Sequence, residues 1–450
     1  MRTGAFGSDV YMQPPSTRRK FIATLGAAGT MSLAGCSSIM GGDSSSPGTS
    51  TATNGTGTSA GSQTKSSGTE NNKNTDKKSN EDKKAPGTSV DDFEGDVGSR
   101  WGISFGRFKV AKQDSFQGKQ SLALEPKKNA KQPVAKIFKS FYPKALDLSK
   151  HDLSLAVKVN KPKDIKISAE VIAPAKSSML TATRYIPLEL DGWVRFDLGY
   201  TGVKGQPAMD SVSQVNIQIG PLTDQNDFQV LIDDLRKIPK PKKGKVMFQF
   251  DDAHISAYNK AYPILKENGW PGAVGIIPDA INSEDRMTDQ MMKEMGKASW
   301  DMMGHAGQLL PNLKEQEQRR VLQNVKRYLD VKGFKKGARH FVAPNSRVNS
   351  TTLSLIDELY ETGYLFGACP NNAQHPSNPS FISRVQGPSV RGARRAVDVA
   401  EKTNQLVVIS YHIIGDGGTP EKQFKEVVDH VKKKDVDVIT PSQLIDSKNW

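Results

Sequence analysis

Two adjacent carboxylates follow a short apolar segment near the middle of the chain. Residues 246–250 read Val-Met-Phe-Gln-Phe, Asp251 and Asp252 come directly after them, and His254 lies two residues beyond. A buried strand of this kind brings the acids to its carboxyl end, where α/β folds assemble their sites from loops. One carboxylate can act there as a general base while the other binds a cation. The pattern predicts metal-assisted hydrolysis, although an Asp-Asp pair after a strand is also typical of a helix N-cap.

Further polar groups end apolar segments later in the chain. His305 follows one such segment, Pro344 and Asn345 follow a second, and Tyr411 and His412 end a third. Between residues 246 and 439, strand-like segments alternate with helix-like segments. This alternation predicts a parallel sheet or barrel, in which the carboxyl ends of the strands meet at one edge.

The succession of these motifs resembles the polysaccharide deacetylase family, whose catalytic domain is a distorted (β/α) barrel. The resemblance covers roughly residues 244–450. It implies that Asp251 is the general base that activates water and that His412 is the acid that protonates the leaving group. It also implies that Asp252 and His305 bind a divalent metal, with zinc as the expected ion. An amide or ester carbonyl polarised in this way could be hydrolysed by water.

The resemblance further implies a substrate groove lined by Pro344, Asn345 and Tyr411, in which an acetyl group is removed from a carbohydrate polymer. The family's second motif supplies two histidines four residues apart, but Leu309 stands four residues after His305. We therefore consider His254 as a replacement metal ligand, against the alternative of a surface histidine. The loss of one ligand leaves a second function open, that of a non-catalytic surface glycan-binding protein with a degenerate barrel.

Residues 90–238 contain short segments of period-two hydrophobicity and no convincing helix, which predicts an all-β sandwich. The first and last of these segments resemble jelly-roll carbohydrate-binding modules. That resemblance implies a structural calcium held by Glu94, Asp233 and the Lys119 carbonyl, although acids at strand edges are equally typical of solvated edge positions. Aromatic side chains of this region could stack on sugars or belong to the core; the candidates are Trp101, Tyr142, Trp193 and Tyr200.

The N-terminus has the order of regions found in an export signal. Arg18-Arg19 precedes a short, weakly apolar stretch, and Leu33-Ala-Gly-Cys36 is placed where a lipoprotein signal peptidase would cut. Residues 1–35 are thus predicted to be a twin-arginine lipoprotein signal, and residues 36–89, rich in Ser, Thr, Gly and Lys, a disordered linker. We expect an exported protein anchored by a lipid on Cys36 to the outer face of the cytoplasmic membrane.

The composition of the 450-residue chain limits its partners. The formal net charge is +14, and the sequence pI is about 9.4. A basic exported protein favours anionic surfaces or polymers, and no nucleic-acid partner is expected because no nucleic-acid-binding module is recognisable. Cys36 and Cys369 are the two cysteines, so acylation of Cys36 would leave no intramolecular disulfide.

Overall fold

The computed structural model describes residues 86–187, 190–222 and 227–447. The predicted signal, Cys36 and the linker up to residue 85 lie outside these ranges. Among the described residues, no helix has both the length and the apolar character needed to cross a membrane.

The N-terminal part of the described chain folds into two antiparallel sheets. Its strands are β1 (Thr88–Asp91), β2 (Gly102–Phe105), β3 (Arg107–Lys112), β4 (Gln120–Glu125), β5 (Ala135–Ser140), β6 (His151–Lys161), β7 (Asp164–Ile172), β8 (Met179–Pro187), β9 (Trp193–Asp197), β10 (Tyr200–Lys204), β11 (Gln214–Pro221) and β12 (Gln229–Pro239). Sheet A has the order β3-β4-β12-β6-β9, with β1 also on β12, and sheet B has the order β10-β8-β7-β11-β5-β2.

The all-β prediction for this part is confirmed, whereas the jelly-roll connectivity stays a prediction. Alternate residues of each strand point to opposite faces, so one face of each sheet can pack against the other. Trp101 and Tyr200 belong to this core, with exposed fractions of 2% and 0%, and Trp101 stacks on Phe93. These two aromatics are therefore not sugar-stacking residues. The predicted linker ends slightly too late, because β1 already begins at Thr88.

The C-terminal part alternates strands and helices. Its strands are β13 (Gly244–Phe250), β14 (Ala273–Ile276), β15 (Asp301–His305), β16 (His340–Val342), β17 (Thr362–Phe366), β18 (Asn371–Asn372), β19 (Ile382–Gln386), β20 (Gln405–Tyr411) and β21 (Val436–Val438). Its α-helices are α1 (Tyr262–Lys266), α2 (Asp289–Lys297), α3 (Glu315–Val331), α4 (Ser350–Leu359), α5 (Val390–Thr403), α6 (Glu421–Val431) and α7 (Pro441–Asp446).

Seven of these strands form a closed parallel barrel, as predicted. The order is β20-β19-β17-β16-β15-β14-β13, and β20 also pairs in parallel with β13, which closes the ring. Large apolar side chains such as Met247, Met303 and Tyr364 form a buried cluster of barrel-strand residues. Because side chains fill the interior of the barrel, a ligand can bind only at the ends of the strands.

A buried polar cluster joins the barrel strands to α7. The imidazole of His340, which is fully buried, hydrogen-bonds through Nδ1 to Thr362 Oγ1 (2.7 Å) and through Nε2 to Ser442 Oγ (3.2 Å). The Ser442 hydroxyl and amide both donate to Asp301. His340 lies at the amino-terminal end of β16, and its burial and hydrogen bonds give it a structural role.

The sandwich and the barrel share one hydrophobic cluster. Sandwich residues such as Phe196 and barrel residues such as Phe381 belong to it, and their rings meet edge to face at 5.0 Å. The buried Arg184 guanidinium lies over both rings and donates to the carbonyls of Asp197 and Phe381. Asn372 of β18 donates through Nδ2 to Asp152 Oδ2 (3.0 Å). The two parts are thus packed against each other, in addition to being joined by the basic residues 240–243 between β12 and β13.

Candidate active site

The paired carboxylates lie where β13 ends. The Asp251 amide still donates to the Tyr411 carbonyl of β20 (2.9 Å), so this residue keeps the strand geometry. The next two residues, Asp252 and Ala253, adopt left-handed backbone conformations with φ of 66° and 51°. Side chains with a Cβ rarely adopt this conformation, which costs on the order of 1 kcal/mol or more per residue and is concentrated at functional sites. The turn lets two consecutive carboxylates point toward the same end of the barrel.

Asp251 is a buried carboxylate with two cationic neighbours. Its side chain is 2% exposed, its Oδ1 accepts from Arg384 Nη1 (2.8 Å), and its Oδ2 lies 3.6 Å from His412 Nε2. Burial alone would raise the pKa of Asp251, but Arg384, His412 and His305 outweigh it and hold that pKa below its usual range. An ionised carboxylate held in this way can accept a proton from a bound water. His412, whose side chain is 30% exposed, remains accessible to a ligand.

Asp252 and His305 form a second pair. His305 Nε2 lies 3.1 Å from Asp252 Oδ1, and His305 Nδ1 donates to the Val342 carbonyl (2.8 Å). A carbonyl can only accept, so the proton on Nδ1 is fixed and Nε2 faces the carboxylate. Burial opposes ionisation of both groups, yet their mutual attraction lowers the pKa of Asp252 and raises that of His305. The two side chains thus stabilise each other's charged forms at the mouth of the barrel.

His254 does not complete this pair as a third metal ligand. Its Nδ1 accepts from the Ser256 amide (3.2 Å) and lies 2.8 Å from Ser256 Oγ, which in turn accepts from the Ile414 amide. Its backbone bridges to Arg286. The loop thus holds Nδ1 in its own turn, and within the described residues His254 does not form a group of three possible metal ligands with Asp252 and His305.

The side chains near Asp252 and His305 can be compared with the ligands that the predicted zinc would need. Catalytic zinc takes three protein ligands and a water. Within residues 86–187, 190–222 and 227–447, no three His, Cys, Asp or Glu side chains lie close enough to hold a metal ion together. Asp252 and His305 supply two donors, and the side chain at position 309 is a leucine that supplies none. The residues present therefore do not fit a catalytic zinc centre.

The three residues predicted to line the groove differ in their exposure to solvent. Asn345 is exposed and has a left-handed backbone (φ 49°), whereas its neighbour Pro344 is buried. Tyr411 is 1% exposed, and its ring packs against Phe250 and Phe424. Side chains alternate along β20, so Tyr411 faces the helices while His412 faces the site. Asn345 remains a groove candidate, and the predictions for Pro344 and Tyr411 are wrong.

The oxygens predicted to bind calcium in the sandwich accept hydrogen bonds from backbone amides, and the calcium site stays a prediction. Glu94 Oε1 accepts from the amides of Lys119 (2.6 Å) and Gln120 (3.0 Å). Asp233 Oδ2 accepts from the amides of residues 116 and 117, and its Oδ1 from that of residue 234. The Lys119 carbonyl accepts from the residue 113 amide. These oxygens hold loops together through backbone amides, which gives them a structural role without any bound cation.

The strand that supplies Arg384 is not among the elements predicted from the sequence. The segment Ile-Ser-Arg-Val-Gln of β19 is buried over its first four residues, and the side chain of Arg384 is 1% exposed. An arginine in the middle of such a short strand was the available signal, because a buried guanidinium is usually paired with a carboxylate. The same strand supplies Gln386, whose Nε2 donates to Ser346 Oγ (2.8 Å) and steadies the loop that carries Asn345.

Part of the barrel matches a known family in sequence. A polysaccharide deacetylase family model matches residues 239–364. The match includes Asp251, Asp252 and His305 and ends before Arg384 and His412. YxkH of Bacillus subtilis (strain 168), whose name places it among polysaccharide deacetylases, is 28% identical over 150 residues, which are 33% of this chain and 50% of that protein. The chain thus spans about half the length of this relative.

Two solved structures share limited similarity with parts of this chain. The Xyl-CE4 domain of a multidomain xylanase from the hindgut metagenome of Trinervitermes trinervoides is 19% identical, with a TM-score of 0.35 over 46% of this chain and 92% of that domain. The Streptococcus pyogenes deacetylase PplD in complex with acetate is 28% identical, with a TM-score of 0.26 over 26% of this chain and 54% of that one. The identification rests on the sequence matches, which support a polysaccharide deacetylase domain at residues 239–364.

Proposed function

We propose that this protein is a carbohydrate deacetylase that hydrolyses acetyl groups, amide- or ester-linked, on a polysaccharide. The observation that carries the proposal is the Asp251 carboxylate, which is buried and ionised between Arg384 and His412 at the mouth of the barrel. It lies in the segment that matches the deacetylase family model.

In the proposed reaction, the residues of the chain move two protons. Asp251 accepts a proton from a water that attacks the acetyl carbonyl, and Arg384 keeps the carboxylate charged and oriented before the attack. His412 donates a proton to the departing nitrogen or oxygen, so that the amine or alcohol leaves in neutral form. The exposed Asn345 lies on the loop beside this site and is available to the polymer. The metal of the sequence prediction is not part of the proposal, because its ligand set is incomplete.

Acetate release tests the proposal directly. We expect the wild-type protein to release acetate from acetylated chitooligosaccharide, peptidoglycan or acetylxylan, assayed with and without added zinc, and Asp251→Asn to lose this activity. Asp429→Asn is the matched control, because Asp429 is an exposed aspartate on α6. Equal rates in wild type and Asp251→Asn would refute the assignment of the base.

A second function is favoured by Leu309. A barrel that keeps its groove but lacks one donor could bind glycans without turnover. Binding of the same three polymers with no acetate release under any condition would support this alternative and reject the first.

We also propose that the protein is exported and held at the outer face of the cytoplasmic membrane by a lipid on Cys36. The basis is the order of the basic, apolar and small-residue segments at the N-terminus. Fractionation of cells that express wild type and Cys36→Ser tests it. Retention of both proteins in the membrane fraction would contradict the lipid anchor.

A further inference from the structure

Each sheet of the sandwich has one edge strand at the barrel and one at its opposite edge. Sheet A runs from β9 to β3, and sheet B runs from β10 to β2. β9 and β10 contact the barrel, because the Asp197 carboxylate accepts from the Asn372 amide (3.1 Å) and the Tyr200 amide donates to Gln405 Oε1 (2.9 Å). The strands β2 and β3 therefore form the edges of the two sheets that are farthest from these contacts.

Large apolar side chains are exposed along these two strands. Ile103 and Phe105 of β2 are 40% and 57% exposed, and Val110 of β3 is 40% exposed. Ile103 lies beside Ile137 and Val110 beside Leu122, both of which belong to the core, so these two side chains line the gap between the sheets. The three residues are half of the six large apolar side chains exposed in the described chain. Such a concentration is typical of a surface that contacts a protein or a membrane.

The crossing from β2 to β3 lies against a lysine-rich segment. Residues 126–134, which connect β4 to β5, read Pro-Lys-Lys-Asn-Ala-Lys-Gln-Pro-Val. Gly106, between β2 and β3, has a left-handed backbone, and a Cβ there would lie 2.6 Å from the Glu125 carbonyl oxygen and 2.8 Å from Ala135 Cα. Phe105 is therefore next to both ends of this segment. The exposed lysines of the segment are Lys127, Lys128 and Lys131.

Positive charge predominates beside the exposed apolar side chains. Arg107 Nε lies 2.7 Å from Glu125 Oε2, and Lys109 Nζ lies 3.7 Å from the same oxygen, so two cations share one carboxylate. The three lysines of the segment have no ion-pair partner within the described ranges. Asp227, on a neighbouring turn, is paired with Lys161. Five cations and one carboxylate thus give this surface a net charge of +4.

We infer that this surface binds an anionic lipid membrane. Its residues are Ile103, Phe105, Arg107, Lys109, Val110, Lys127, Lys128 and Lys131, and we call it the β2–β3 edge. The apolar side chains enter the boundary between headgroups and acyl chains, while the cations stay among the anionic headgroups. Binding by this edge requires neither acetate release nor a lipid on Cys36.

Charge and exposure together favour a membrane over other partners. A second copy of the chain would bring one surface of charge +4 against another, and the two would repel each other. A soluble anionic polymer would be attracted by the lysines but would not cover Phe105. Lysines on an edge strand also discourage pairing with another sheet, but that role requires no exposed phenylalanine beside them.

Co-sedimentation with vesicles tests the inference. Full-length protein carrying Cys36→Ser, which has no thiol to acylate at that position, is mixed with vesicles of phosphatidylcholine alone or of phosphatidylcholine and phosphatidylglycerol in equal parts. We expect binding to the mixed vesicles to be about tenfold tighter or more. This binding should weaken as salt shortens the reach of the charges from about 10 Å at 0.1 M to about 3 Å at 1 M.

Variants of the β2–β3 edge separate its apolar and charged parts. In the Cys36→Ser background, Phe105→Ser should weaken binding to the mixed vesicles about fivefold or more, because the contact loses an apolar ring. The double variant Lys127→Gln/Lys128→Gln should weaken it about tenfold or more, because two cations are lost from the membrane surface.

The barrel offers matched controls. Val331 at the end of α3 is 79% exposed, and Lys335 and Lys336 are exposed shortly after it. Val331→Ser and Lys335→Gln/Lys336→Gln should leave vesicle binding unchanged. Thermal unfolding shows that each variant is folded, and acetate release from a soluble substrate should be equal in all of them, because none of these residues belongs to the catalytic site.

A fluorescent label at position 105 gives a local measurement. In the Cys36→Ser background the remaining cysteine, Cys369, is fully buried, so Phe105→Cys directs an environment-sensitive label to the β2–β3 edge. We expect its emission to shift to shorter wavelength on the mixed vesicles and to be quenched by bromine-substituted lipids. The same label on Val331→Cys should show neither change.

Each outcome decides the inference. Weaker binding by a folded Phe105→Ser protein, together with quenching of the label at position 105, supports it. The inference is overturned if the mixed vesicles are not bound, if Phe105→Ser binds them unchanged, or if the label is not quenched. Loss of binding in the lysine variant alone, with equal affinity for a soluble anionic polysaccharide, would show a polymer site instead of a membrane site.

Discussion

A buried carboxylate serves as a base only if it stays ionised, and at the residue scale Asp251 depends on Arg384 for this. Removing one partner of a buried ion pair leaves the other charge unpaired, which typically costs about 3–5 kcal/mol of stability. We expect Arg384→Met to lower the free energy of unfolding by an amount of this order and to reduce acetate release at least about 100-fold through misplacement of the base. Chemical denaturation and acetate assays measure the two effects.

Arg384→Lys provides the matched comparison for this prediction. It keeps the positive charge but loses the planar guanidinium, so both effects should be smaller than in Arg384→Met. Normal acetate release by a folded Arg384→Met protein would show that Asp251 needs no such partner.

The incomplete donor set at Asp252 and His305 leads to a second prediction. Leu309→His adds an imidazole at the position where the resembling family has its second histidine, so we expect this variant to bind zinc more tightly than the wild type. Calorimetric titration and metal analysis after dialysis measure the difference. Asp252→Ala in the Leu309→His background should remove the gain. Tight zinc binding by the wild type, abolished by Asp252→Ala, would contradict the conclusion that two donors are insufficient.

At the scale of the elements, strand parity explains which site residues could be predicted. Neighbouring side chains on a strand point to opposite faces, so Tyr411 and His412 cannot both face the groove. Asp251 and Asp252 escape this rule because the backbone turns left-handed at Asp252, which the sequence does not reveal. The positions of Asp251 and His305 at strand ends could be predicted from hydrophobic segments. The pairing of Asp251 with Arg384 could not, because it depends on how the barrel brings β13 and β19 together.

The burial of Tyr411 gives a prediction for β20. Its hydroxyl is buried without a hydrogen-bond partner among the described residues. Removing an unsatisfied polar group should cost nothing, so we expect Tyr411→Phe to unfold at the same or a higher temperature and to release acetate within about twofold of the wild type. Tyr411→Ala should lose about 3–5 kcal/mol, as for other large core residues. A large loss of activity in a stable Tyr411→Phe protein would return this residue to the groove.

At the scale of the whole molecule, the interface between sandwich and barrel contains an acid that is fully buried. Burial raises the pKa of Asp152 to about 7, against an ordinary value near 3.8. The folded protein therefore holds a proton between about pH 4 and pH 7 that the unfolded chain has released. The contribution of Asp152 to the free energy of unfolding is therefore fully present below pH 4. It declines by a few kcal/mol at most as the pH rises toward 7.

Asp152→Asn tests this dependence. The variant should flatten the decline in unfolding free energy between pH 4 and pH 7, measured by denaturant titration at each pH, whereas the exposed control Asp429→Asn should not. Part of the slope should remain, because burial also raises the pKa of the neighbouring Asp197. A slope identical in wild type and Asp152→Asn would show that the interface admits water to this carboxylate.

The closure of the barrel by β13 and β20 has a consequence for how the protein is made. Asp251 emerges from the ribosome early in the barrel, but its amide partner Tyr411 and its side-chain partners Arg384 and His412 are translated much later. Nascent chains that stop between β19 and β20 therefore carry the two aspartates and Arg384 but lack Tyr411 and His412. Synthesis of β20, the last strand of the seven-strand ring, is therefore the step that completes the proposed site, and products terminated before it should release no acetate.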